Sequence, residues 1–160
     1  MRSLTLERVA RHALTGEGAH VETKRVFSGL DFKLAGARPR GVQHSLYQLL
    51  NHMSYWQDWV LRWLDGDEPP IPAHASGSWP GATEPASRRQ WEEAVAKFNE
   101  ALRQLERNAR RAELLSGQGR KSRLEMLQTI GSHNSYHAGQ AVLLRQLIGK
   151  WPPAGGGLTW

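Results

Sequence analysis

Between Val42 and Leu64, apolar residues return every three or four positions: Leu46, Leu49, Leu50, Met53, Val60 and Leu64. That period belongs to an α-helix with one buried stripe, and such a stripe must be covered by other elements. No strand-like alternation occurs in the chain to supply a sheet, so the cover has to be helical. Further segments carry the same period. Leu6, Val9, Ala10, Ala13 and Leu14 mark a first helix over residues 4–14, and Val26, Phe27 and Leu30 mark a second helical piece over 19–30. Trp91, Ala94, Val95, Phe98, Ala101, Leu102 and Leu105 mark a long helix from Ser87 to about Arg110, and Met126, Ile130, Ala141, Leu144 and Ile148 mark the last, ending at Ile148. The expected fold is all-α, a four-helix bundle.

The breaks agree with this division. "AGARPRG" (35–41) is a loop, because Pro and Gly interrupt both regular structures. Residues 66–86 hold five prolines and read as a long ordered crossover lying against the bundle. Ser87 with Gln90, and Ser122 with Glu125, have the spacing of capping boxes. A chain of 160 residues is expected to form one domain over 1–160, with 150–160 as an extended tail that straps or frays.

Composition removes several functions. There is no cysteine, which excludes disulfides, thiolate metal sites and a cysteine nucleophile, so any thiol chemistry needs an external thiol. No apolar stretch is long enough to span a bilayer and no secretory leader is read at the start, so a soluble cytoplasmic protein is expected. The net charge is +6, with seven Lys/Arg between Arg103 and Arg123. Nucleic-acid binding is the sharp reading of that cluster, but it contains no aromatic residue for base stacking. A solvated helix end plus a basic loop is preferred.

The histidines carry the functional question. His133 and His137 are four apart in "HNSYHAGQ", on the stripe that also bears Ile130 and Ala141. A four-residue step turns a helix by only about 40°, so the two rings point the same way, toward the bundle interior. Two neutral rings buried side by side need partners; a divalent cation supplies one to each, and hydrogen bonding within the core is the alternative. A zinc metalloprotease helix would place Glu directly after the first histidine, where this chain has Asn134. A third ligand is sought in His52, on the shoulder of the second long helix in a stripe with Trp56, Trp59 and Trp63. The plainer reading of His52 is a helix histidine stacked on Trp56. His44 reads as a cap or surface residue, His12 and His74 as surface or loop residues. His20 could line the mouth of a pocket.

"LLNHMSYWQDWVLRWL" and "HNSYHAGQAVLLRQLIGKWPP", together with "GEGAHV" near the start and the "GSWPG" loop, resemble the DinB/YfiT-like superfamily of metalloenzymes across nearly the whole chain. The resemblance implies a four-helix bundle in up-down-down-up order, a homodimer, and a divalent metal on His52, His133 and His137. The metal would be zinc or nickel, with iron or manganese also suited to imidazole ligands. It further implies a small-molecule substrate and a metal-dependent enzyme, an S-transferase using a low-molecular-weight thiol such as bacillithiol or mycothiol. A metal-dependent hydrolase, or a non-enzymatic stress-response or scaffold protein with a structural metal, is the alternative. Asn134, Tyr136 and Gln140 are candidates for supporting the ligands, and His20 and Trp56 for lining the substrate pocket.

Overall fold

The computed structural model describes residues 5–110, 115–154 and 156. Four helices dominate: α1 Leu6–Thr15, α2 Leu46–Leu64, α3 Arg88–Ala109 and α4 Arg123–Leu147. α1 packs against α4 and α3, and α2 against α3 and α4, so the four close into a bundle with α1 and α2 on one diagonal. None of these helices is long and apolar enough to cross a membrane.

Each helix starts where its cap chemistry says. Ser45 Oγ accepts from the Gln48 N–H and Gln48 Oε1 accepts from the Ser45 N–H, both at 3.1 Å, so α2 begins four residues later than apolar period alone suggests. Ser122 and Glu125 form the same reciprocal box at the head of α4. At α3 only half of the expected box is made: Ser87 Oγ caps the Gln90 N–H, while Gln90 Oε1 takes the N–H of Ala86. α1 stops at Gly16, whose φ of +74° is open to glycine and costly for other residues.

Two apolar clusters fill the bundle. One gathers Leu46, Leu50 and Met53 of α2, Phe98 of α3, Ala138 and Ala141 of α4, and Val26, Phe27 and Leu30. The other gathers Ala10 and Leu14 of α1, Val60 and Leu64 of α2, Leu102 and Leu105 of α3, and Met126, Leu127 and Ile130 of α4. Between them, in sequence on each helix, fall Gln57 and Asn134, both fully buried.

Three expectations are corrected. The segment 19–30 is not an α-helix but a series of turns with one short 3-10 element at Thr23–Arg25. Val21 and Thr23 are both buried, and residues two apart lie about 200° apart on a helix, so a helix here would expose one of them. Leu6 and Val9 are exposed, leaving Ala10 and Leu14 to bury α1. A two-residue antiparallel ladder, β1 Gly117–Gln118 with β2 Lys121–Ser122, introduces α4; it is too short to leave an alternating pattern. Three members of the basic cluster have partners within the chain. Arg103 and Arg107 pair with Glu100, and Arg123 donates to Leu64 O and Asn108 Oδ1, while Arg111 lies outside the described residues.

The crossover between α2 and α3 is ordered, and its carbonyls run back along α2. Pro70 O accepts from Trp59, Ser78 O from His52, Pro80 O from Gln48 and Thr83 O from Ser45. The tail is strapped as far as it is described: Pro153 is buried, and Arg25 donates to Gly156 O.

A candidate metal centre

His52 of α2 and His133 and His137 of α4 meet in one cluster. One nitrogen from each ring falls within 4.8 Å of the other two. Ring centroids are 5.1 Å apart for His52–His133, 4.7 Å for His52–His137 and 4.5 Å for His133–His137. His52 and His137 are buried and His133 is half-buried.

Two of the rings have their tautomer set by the chain. His52 Nδ1 donates to Ser78 O at 3.2 Å, and His137 Nδ1 donates to Gln140 Oε1 at 2.7 Å. Both acceptors lack a proton, so both Nε2 atoms carry a free lone pair. His133 Nε2 sits 3.2 Å from His52 Nε2, and its Nδ1 is buried without a hydrogen-bond partner. A His133 proton on Nε2 would bridge that pair but leave its buried Nδ1 unpaired, whereas a cation would engage a lone pair from each ring. The donor set therefore fits one divalent ion, which prefers neutral imidazole nitrogens and takes them in this number.

The electrostatics favour neutral rings. Burial, followed by the neighbouring imidazoles of His137 and His52, pushes His133 down to about 4. His52 is also pushed down to about 4, chiefly by burial, with the Ser78 carbonyl opposing the shift and His137 and His44 adding to it. His137 is lowered too, mainly by burial.

Aromatic side chains frame the cluster. The Trp79 indole stacks on His52 with centroids 3.9 Å apart and planes 6° apart. His44 stacks on Trp79 at 3.7 Å, and two parallel rings at these distances must occupy opposite indole faces. Trp56 meets His133 edge-on at 6.3 Å, and Tyr136, itself exposed, meets His137 edge-on at 5.0 Å.

The remaining candidates separate. Gln140 touches a trio ring directly. Asn134 is fully buried and its side chain acts on the His133 ring, although neither amide atom makes a hydrogen bond of ordinary geometry. His20 lies outside the trio: Nε2 meets Ser135 Oγ at 2.9 Å and Nδ1 meets Val21 O at 2.7 Å, with the ring against Gly16. His52 stacks on Trp79 of the crossover rather than on Trp56, and His44 is neither a cap nor a plain surface residue. Ser78 and Trp79 are the contributors that spacing on α2 and α4 could not reveal. Their only trace in the sequence was the "GSWPG" element.

A family model described as the DinB superfamily matches residues 15–141. No curated protein matches the chain, and no solved structure does.

Proposed function

The chain belongs to the DinB superfamily, and on that premise we propose that it is a divalent-metal-dependent enzyme with His52, His133 and His137 as its ligands. The reaction in this reading is S-transfer from a low-molecular-weight thiol, such as bacillithiol or mycothiol, to a small electrophile. The observation that carries it is the convergence of one nitrogen from each of three imidazoles, two buried and one half-buried, within 4.8 Å. Three protein ligands leave a fourth position for substrate, the pattern of a reactive rather than a purely structural site. A bound cation would supply a Lewis acid that lowers the pKa of a thiol reaching that position.

The chain's own groups then have defined tasks. Ser78 O and Gln140 Oε1 hold the Nδ1 protons of His52 and His137 and aim the opposite nitrogens inward. Trp79, Trp56 and Tyr136 limit water around the rings. Among the described residues the cluster contains no carboxylate to serve as a general base. That favours a thiol, which starts near pKa 8.5, over water, which starts far higher. The chain has no cysteine, so the thiol comes from outside.

Elemental analysis of protein made without a histidine tag tests the reading. About one divalent ion per chain is expected, as for a three-histidine site, and its loss in the His133→Ala/His137→Ala double variant. Metal-free protein at neutral pH, or full metal retention in the double variant, would overturn it. Zinc- or nickel-loaded protein should then couple a small thiol to an aryl halide with release of halide.

A further inference from the structure

The groove between α2 and α4 continues past the histidines. Leu49 precedes His52 by three residues on α2, and Gln140 and Leu144 follow His137 by three and seven on α4. With His44, Leu143 and Leu147 they line a pocket of about 250 Å³. Two of these side chains are tied to the trio. Gln140 Oε1 holds the His137 Nδ1 proton, and His44 lies on the indole face opposite the one that covers His52. The pocket therefore adjoins the candidate metal centre, with Gln140 and His44 as the side chains shared between its wall and the surroundings of the trio.

Its chemistry is selective. Four leucines and Val42 form most of the wall, and its polar members, Gln43, His44 and Gln140, are neutral side chains. Arg38 reaches only the Gln43 carbonyl at the rim. The pouch itself therefore suits an uncharged group better than a phosphate or carboxylate. By contrast, Asp58 and Lys97 line a different pocket, between α2, α3 and the crossover. Leu143 and Leu147 are each 56 % exposed, which leaves the apolar pouch open to an entering ligand. An engineered cavity of about 150 Å³ takes benzene. A space of about 250 Å³ accordingly suits one ring with a short substituent, or a branched chain of similar bulk.

We propose that this pocket receives the uncharged apolar part of the substrate, a single-ring or branched aliphatic group, while the reacting group reaches the histidine trio. The proposal rests on the reading of the trio as a metal site, and its test separates the two.

The first arm uses metal-free protein and follows 4-methylbenzyl alcohol by ligand-observed NMR, with glycerol as the polar control. Saturable binding of the aryl alcohol alone is expected, weakened by about tenfold or more when Leu143→Trp fills the pouch, in line with the apolar area lost. The second arm uses zinc-loaded protein and compares benzohydroxamate with acetohydroxamate. The aryl compound should bind about tenfold more tightly, and Leu143→Trp should abolish that preference while zinc affinity stays the same. Leu147→Trp provides a second filling variant. Equal affinity for the two hydroxamates, or an aryl preference that survives both variants, overturns the proposal. If wild type binds neither aryl probe and sedimentation shows that Leu143→Trp breaks a dimer, the groove is an interface between two copies and the proposal falls. Failure to take up zinc, with the NMR arm intact, removes the metal reading and leaves the pocket standing.

Discussion

The indole of Trp79 lies flat on the imidazole of His52, 3.9 Å between centroids and 6° between planes. The residue before it, Ser78, accepts the Nδ1 proton of the same ring. One face and one nitrogen of His52 are thus fixed by a segment 26 residues away. Supporting contacts of this kind typically matter about ten- to a hundredfold in metal affinity. Trp79→Ala should weaken zinc binding by that order in competition with a chromophoric chelator, and Trp79→Phe should restore much of it. Unchanged affinity in the alanine variant would remove the clamp from the site.

The trio makes the metal-free protein acid-sensitive in a defined window. His52 and His133 sit at about 4 in the folded chain against 6.5 ordinarily, so between those values the unfolded chain binds more protons. Stability therefore rises with pH across the window: it is fully present above 6.5 and lost as pH falls toward 4. Urea unfolding in the presence of a chelator should show the midpoint falling between pH 6.5 and 4.5, with a reduced slope when both histidines are replaced by glutamine. A midpoint independent of pH over that range would contradict the geometry.

Gly131 tests the contact between α1 and α4. A Cβ there would lie 2.5 Å from the backbone oxygen of Ala13, and backbone cannot swing aside as a side chain does. Helix propensity alone would make Gly131→Ala stabilising by up to about 1 kcal/mol. The clash should win, with a net loss of about 1–3 kcal/mol, read as a lower thermal midpoint.

Gln57 is fully buried with neither amide atom hydrogen-bonded, between Met53 of one apolar cluster and Val60 of the other. Gln57→Met keeps the volume and removes the unpaired groups. It should raise stability by about 1–3 kcal/mol in chemical denaturation, the usual cost of an unsatisfied buried amide. A lower midpoint would mean that both amide atoms are engaged.

Much of the fold was legible because its signals are local. Leu46, Leu50 and Met53 share a helical face whatever they pack against, and Ser122 with Glu125 caps α4 within three residues. The same logic misread 19–30, where Val26, Phe27 and Leu30 have helical spacing. There the burial of Val21 and Thr23 by the rest of the molecule overrode the pattern. The start of α2 was legible too, in the Ser45–Gln48 pair, but apolar period drew the boundary too early.

Sequence alone determined that His133 and His137 point together, because four residues nearly complete a helical turn. It also determined that no cysteine shares the work. Tertiary structure decided what those rings meet. Only packing brings His52 across from α2, sets Ser78 and Trp79 on its far side, stacks His44 behind them, and buries Asn134 beside His133. The reason is physical. A helix's period fixes directions within one element, whereas the crossover from Pro70 to Thr83 follows α2 through backbone carbonyls, which every residue has and no sequence pattern marks.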